Sequence, residues 1–317
     1  MRCAARRGPK GGRSRPGECT GDYRDIATTV HVEGNMAETD IYLLGRGEAE
    51  VERLKRQVMT LAVDSEAQLD RIGIQQGERV IDIGCGPGGA LHLLAERVGA
   101  AGSVLGIDRG RHFVELARRF AVDRGLSQVE VREGDAYATR LPKASFDGAH
   151  LRLLLVNVPE PERIVREAVS LVRPGGWVAS FEADYVPHCF DPPLPAWTRL
   201  LAAYAAHAHA QGIDLSVGRR IHHLFRNAGV IDVHVDAIVH VFPNGHERRS
   251  FPLSLIKNAR DALVEGRFVT REVLDADIEA LEDYLSRPDV QVISNLFFRL
   301  TGRLPQQEQR RAGPSAS

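Results

Sequence analysis

From about residue 78 to residue 184 the chain alternates short apolar runs with longer amphipathic stretches. The runs are Val80 to Ile83, Ser103 to Ile107, Gln128 to Arg132, Phe146 to Leu151 and Trp177 to Glu182. Each has strand length, and the segments between them are long enough for helices. Strands separated by helical crossovers predict an α/β fold with a mostly parallel sheet and helices on both faces. Punctuation agrees, because Val172-Arg173-Pro174-Gly175-Gly176 reads as a helix stop followed by a turn before the fifth run.

The flanks follow other rhythms. Upstream, Val51, Leu54, Val58, Leu61 and Ala62 recur at helical spacing and predict an amphipathic helix from Glu48 to Val63. Downstream, Pro187, Pro192, Pro193 and Pro195 make a stiff connection into a helix from Ala196 to about Gln211, whose apolar face is Trp197, Leu200, Leu201 and Tyr204. A helix over Gly218 to Asn227, a long strand over Ile231 to Phe242, helices near Pro252 to Glu265 and Arg271 to Ser286, and a last strand over Val290 to Leu300 complete the expectation. Residues 303–317 read as a frayed tail. The first 35 residues carry six basic side chains before Glu18, among glycine, proline and serine, with no apolar period. They read as a disordered basic extension or as sequence upstream of a start at Met36; a transit peptide and a nucleic-acid-binding tail are the sharper alternatives.

The chemistry concentrates after the first run, in Asp82-Ile83-Gly84-Cys85-Gly86-Pro87-Gly88-Gly89. Gly84, Gly86 and Gly89 satisfy the G-x-G-x-x-G pattern that seats a pyrophosphate on a helix N-terminus. Pro87, however, removes an amide hydrogen from the loop, and Asp82 places a carboxylate where it repels phosphate. A carboxylate there suits a ligand bearing ammonium or sulfonium charge, as S-adenosylmethionine does. About twenty residues on, Asp108 ends the second run, where an acid can accept both ribose hydroxyls. Gly134-Asp135-Ala136 ends the third, where a carboxylate followed by a free amide can read an adenine edge.

Together these residues resemble the class I S-adenosylmethionine-dependent methyltransferases, especially the small-molecule branch that includes ubiquinone/menaquinone C-methyltransferases. The resemblance is carried by Asp82-x-Gly84-x-Gly86-x-Gly88, Asp108, Gly134-Asp135-Ala136, Phe146-Asp147, Asn157-Val158 and Arg173-Pro174-Gly175-Gly176, in family order over residues 78–184. It implies a Rossmann-like three-layer sandwich with a seven-stranded sheet and a helical lid insertion after strand five, at about residues 187–229. The methyltransferase domain would then span 36–302, with an N-terminal helical cover at 36–75. In the family such a cover closes over the cofactor; Tyr42 would approach the methionine end or serve as an ordinary core aromatic. Comparison with the quinone methyltransferases puts Arg152 at a cofactor-contacting position, where it would pair with the methionine carboxylate; the alternative is a surface arginine with a buried stem. The implied cofactor set is therefore Tyr42, Asp82, Gly84, Gly86, Gly88, Asp108, Asp135, Ala136 and Arg152.

No catalytic residue follows from the motifs. Glu182 and Asp184 close the fifth run and can face substrate or sit solvated at a loop mouth, and His207 can be a general base or a hydrogen-bonded helix histidine. His207, His209, His222 and His223 lack an acidic companion and the spacing of a metal site, so no metal is expected.

Composition bounds the rest. The chain has 317 residues, 43% hydrophobic content and a formal net charge of -1, which supplies a core and no global field for nucleic acid or anionic membrane. No apolar stretch approaches the roughly 20 residues of a membrane span. Four scattered cysteines suit a reducing cytoplasm. The expected partner is a small, fairly apolar substrate methylated at oxygen, nitrogen or carbon, in a protein that is a monomer or a homodimer. An NAD(P)-dependent oxidoreductase on a similar sheet and a non-catalytic S-adenosylmethionine-binding homologue are the competing readings.

Overall fold

A computed structural model describes residues 61–185 and 189–306, with the side chain of Cys189 outside the description. Tyr42, the 1–35 segment and most of the expected cover fall outside the described residues. The part that falls inside is a helix, α1 (Ala62–Ile72), which buries Ser65, Gln68, Leu69 and Ile72. Its Gln68 amide nitrogen donates to the carbonyls of Ser180 (2.8 Å) and Leu300 (2.9 Å), tying the helix to the sheet.

The alternating region forms β1 (Arg79–Ile83), α2 (Leu91–Val98), β2 (Ser103–Asp108), α3 (Arg111–Asp123), β3 (Val129–Glu133), β4 (Phe146–Arg152), α4 (Pro161–Leu171) and β5 (Val172–Asp184). The fourth helix shows how sequence sets such an element. Pro161 occupies its first turn, where a missing amide hydrogen costs nothing, and Ile164, Val165, Ala168 and Leu171 recur on one buried face. Beyond β5 lie β6 (Cys189–Asp191), α5 (Pro195–Ala210), α6 (Val217–Asn227), β7 (Ile231–Ile238), β8 (Val241–Phe242), α7 (Phe251–Glu265), α8 (Arg271–Ser286), β9 (Gln291–Ile293) and β10 (Leu296–Arg303).

Seven strands make one sheet in the order β3-β2-β1-β4-β5-β10-β7, and β10 runs antiparallel to both of its neighbours. One apolar cluster gathers Val80, Val104 and Trp177 with Leu69 of α1 and Leu91 and Leu94 of α2. The other joins Ile81, Ile83, Ala149 and Leu151 with Ile164, Val165, Ile221 and Phe225 of α4 and α6. Helices thus cover both faces, and the three-layer α/β expectation holds.

Four expectations change. The long strand expected over 231–242 is two strands, β7 in the main sheet and β8 in a separate three-stranded sheet, β6-β9-β8. The run 290–300 divides the same way into β9 and β10, with Ser294 between them donating its amide to the His240 carbonyl (2.8 Å). Apolar residues continue through both crossings because both sheets need buried side chains, although the strict alternation breaks there.

The lid is also built differently from the expected 187–229 insertion. Helix α6 belongs to the main sandwich: a Cβ at Gly218 would lie 2.8 Å from the backbone of Ala183 on β5, so that glycine permits close docking. The cap consists instead of β6 and α5 together with β8, α7, α8 and β9, with α5, α7 and α8 packed on one another. The start of the tail expected from 303 is instead tied to the sheet: Arg303 ends β10 and the Leu304 amide donates to the Gly176 carbonyl (2.9 Å).

Candidate functional site

The sequence-predicted acids converge at the carboxyl ends of β1 and β2 and just past β3. There they line a cavity of about 360 Å³, within the range of small-molecule sites. Asp82, Gly84, Gly86, Asp108, Asp135, Ala136 and Arg152 all reach it.

The glycine loop is held from within. The amides of Gly84 and Cys85 donate to the Ile107 carbonyl (2.8 and 3.0 Å), that of Gly86 to Asp108 Oδ2 (2.9 Å), and that of Gly88 to the Cys85 carbonyl (3.1 Å). Pro87 has no amide hydrogen. From Gly84 to Gly88 the donors that a phosphate nest needs are therefore engaged or missing, which leaves the amides of Gly89 and Ala90 at the cavity. Gly86, at φ +54°, would point a Cβ into open space, so the main chain there borders the cavity directly.

Gly88 departs from its expected cofactor role. A Cβ there would press within 3.1 Å of the Phe120 ring and 3.5 Å of Ala117 Cα on α3, and the residue does not line the cavity. This glycine serves helix packing. Cys85 points its sulfur toward Gly106 on β2, where a Cβ would meet it at 3.0 Å. Burial, with Asp82 and Asp108 nearby, pushes its thiol well above the usual range, so it is a space-filling residue in its resting form.

Asp108 accepts from two amides, Gly110 to Oδ1 (2.8 Å) and Gly86 to Oδ2 (2.9 Å), which fixes its carboxylate at the strand tip. Burial raises its pKa, and these amides together with Arg109 oppose the rise. Asp135 is exposed and accepts the Tyr137 amide at 2.9 Å. The Ala136 amide makes no hydrogen bond among the described residues and borders the same space.

Opposite the glycine loop, Asp82 is 2% exposed and its Oδ1 lies 2.7 Å from Nδ1 of His150, which is fully buried on β4. Two residues further along β4, Arg152 lines the cavity and makes no hydrogen bond or ion pair among the described residues. Burial lowers its pKa and Asp82 opposes that shift. Leu153, Leu154, Val158, Ile164 and Tyr185 supply apolar wall, and the Tyr185 ring stacks on Phe251 of the cap with centroids 6.3 Å apart. Sequence reasoning missed His150 and Tyr185. The pairing of His150 with Asp82 across β1 and β4 is visible only once strand order is known.

The substrate-side candidates are not in the cavity. Glu182 is fully buried and turns back to the main chain, accepting the amides of Leu154 (3.2 Å), Leu155 (3.1 Å) and Val156 (3.2 Å). Burial outweighs these donors and pushes its carboxyl up to about 7. Asp184 is fully buried and paired with Arg219 of α6. His207 is buried on α5 with its ring edge against Phe268, centroids 5.4 Å apart, and burial lowers its pKa.

Comparison with known proteins places this arrangement. A family model described as a methyltransferase domain matches residues 74–229. An uncharacterized 37.1 kDa protein of a Streptomyces fradiae transposon is 33% identical over 199 residues, covering 62% of this chain and 56% of the relative. A demethylmenaquinone methyltransferase of Listeria monocytogenes is 29% identical over 131 residues, covering 41% and 53%. The chain thus spans about half the length of these curated relatives. Among solved structures, a Haemonchus contortus phosphoethanolamine N-methyltransferase 2 in complex with S-adenosylhomocysteine superposes with a TM-score of 0.51 at 16% identity, over 77% of this chain and 52% of that one, a likeness of fold.

Proposed function

We propose, on the premise that residues 74–229 are a methyltransferase domain of the class I S-adenosylmethionine-dependent type, that this protein transfers a methyl group from S-adenosylmethionine to a small, fairly apolar metabolite. The observation that carries the reading is a row of charged groups at successive strand tips beside a glycine loop most of whose amides are already engaged. A pyrophosphate meets the carboxylates of Asp82 and Asp108 and few loop donors, which argues against the dinucleotide alternative; a zwitterionic nucleoside finds a complement for each of its parts.

The residues fit the donor by their own chemistry. Gly86 leaves room for the methionine portion, Asp82 suits its ammonium, and Arg152, unpaired among the described residues, suits its carboxylate. Asp108 is set to accept ribose hydroxyls, and Asp135 with the Ala136 amide matches an adenine edge. Tyr42 keeps its place in the proposal as a residue of the cover. When bound, S-adenosylmethionine supplies an electrophilic methyl group on a sulfonium centre. The protein's part is to hold the acceptor in line and keep water out, which can account for a large share of such a rate enhancement. The walls at Leu153, Leu154, Val158, Ile164 and Tyr185 suit an apolar acceptor. Because Glu182 and His207 lie outside the cavity, no proton transfer is assigned to them. A cytoplasmic place of action accords with the buried free thiol of Cys85.

The test is incubation of the protein with methyl-labelled S-adenosylmethionine and a metabolite extract of its host, followed by mass spectrometry. One labelled acceptor and stoichiometric S-adenosylhomocysteine are expected. Binding of the donor with no labelled product across the extract would shift the reading to a non-catalytic binding protein, and absence of binding would end it.

A further inference from the structure

A fully buried histidine on a central strand requires a reason, and His150 has one hydrogen-bond partner among the described residues. It lies between Ala149 and Leu151, both fully buried, in a strand otherwise filled with apolar or small side chains at that depth. Parallel register sets it beside Asp82 on β1, and beside Ala179 on β5, which offers it nothing polar. Its Nδ1 lies 2.7 Å from Asp82 Oδ1, while its Nε2 is buried with no hydrogen-bond partner. Since a carboxylate only accepts, the neutral imidazole carries its proton on Nδ1. The ring is therefore oriented by Asp82 alone, and in return holds one oxygen of a carboxylate that borders the cavity.

Side chains of alternate residues share a face, so His150 and Arg152 flank the Asp82 carboxylate from the same strand and on the same side of the sheet. The order is imidazole, carboxylate, then guanidinium at the cavity. The other charged or titratable groups near this face are Asp108 and Cys85 beyond β1, and His92, Glu96 and Glu66 on the covering helices. None of them bonds to His150.

We propose that His150 is a positioning residue for the methyl donor: its Nδ1–H fixes the Asp82 carboxylate toward the cavity, where it meets the ligand's ammonium. This rests on the reading of the cavity as an S-adenosylmethionine site. The hydrogen bond aims the carboxylate, and it serves S-adenosylmethionine and S-adenosylhomocysteine alike, because both carry that ammonium.

The experiment is calorimetric titration of the full chain at one neutral pH with S-adenosylmethionine and with S-adenosylhomocysteine, using wild type, His150→Asn and His150→Leu, each checked by thermal melting. His150→Asn places an amide N–H where Nδ1 stands, so affinity for both ligands is retained. His150→Leu removes the donor, and affinity for both drops about tenfold or more, as expected when a charged partner loses its hydrogen bond. Full affinity in His150→Leu, or the same loss in His150→Asn as in His150→Leu, overturns the proposal. Should His150→Leu not fold, His150→Ala takes its place in the comparison with His150→Asn. Binding of neither ligand by wild type refutes the donor reading itself, a result distinct from wild-type binding that the substitutions leave unchanged.

Discussion

Asp108 takes a hydrogen bond from main chain on each of its oxygens, so its carboxylate is aimed before any ligand arrives. Asp108→Ala is expected to abolish most affinity for S-adenosylhomocysteine while the sheet still melts cooperatively; unchanged affinity in calorimetry would falsify the ribose assignment. At Gly86, a valine Cβ enters open cavity and its backbone stands at φ +54°, so Gly86→Val should block donor binding and lower stability by about 1–2 kcal/mol for the left-handed strain. Glu182 yields a prediction in pH. Its folded pKa of about 7 stands above the ordinary 4.5, so the folded state holds the proton more tightly than the unfolded chain does. That preference stabilises the protein fully below pH 4.5 and is lost as pH rises through about 7. Glu182→Gln has no such loss, and the difference in melting temperature between variant and wild type should move in the variant's favour as pH rises across that window. A parallel pair of melting curves would reject this. Residue letters announced the acids at the strand tips, because an aspartate ending an apolar run has few other uses. They misplaced Glu182, because whether a carboxylate at a strand end turns outward or back depends on the amides of Leu154 to Val156, more than twenty residues earlier in the chain.

Elements between residues 78 and 184 were legible because each strand is a compact apolar run and each helix has its own period. Beyond 187 the helices were legible and their partners were not. No glycine or proline divides β7 from β8; the local mark is the apolar run Ala237-Ile238-Val239, which breaks the alternation just before the chain changes sheets near His240. Nor does composition show that α6 docks on β5 while α5 turns away to join α7 and α8. The cap is closed by Arg249, 4% exposed, whose guanidinium donates to the carbonyls of Phe242, Leu285, Arg287 and Val290 at 2.9–3.3 Å. Those carbonyls come from β8, the end of α8 and the approach to β9, which one side chain gathers. Arg249→Ala leaves four acceptors without this donor and should cost about 3–5 kcal/mol, as for other buried charged groups removed from their partners. Hydrogen exchange should quicken across 241–293 and stay slow in β1, β4 and β5; uniform quickening would mean that the cap has no stability of its own.

At the scale of the molecule, a sheet ordered β3-β2-β1-β4-β5-β10-β7 puts the ends of β1, β2 and β4 side by side, and this adjacency turns scattered acids into one cavity. A ligand held by that cavity should raise the melting temperature, by an amount corresponding to about 2.7 kcal/mol at a hundred times its dissociation constant. S-adenosylhomocysteine is expected to do so and NADH is not; a shift with NADH alone would restore the oxidoreductase reading. No helix among the described residues is long and apolar enough to cross a membrane. The cap, finally, is threaded from two separate stretches of chain, with α6 and β7 of the sandwich lying between them. Transplanting this cap is therefore a two-piece operation. A chimera that exchanges only the stretch after β5 would mate a foreign α5 with the native α7 and α8 and inherit a mismatched seam, whereas exchanging both stretches carries the seam along and leaves the strand-tip cavity, whose lining residues all precede β6, in place.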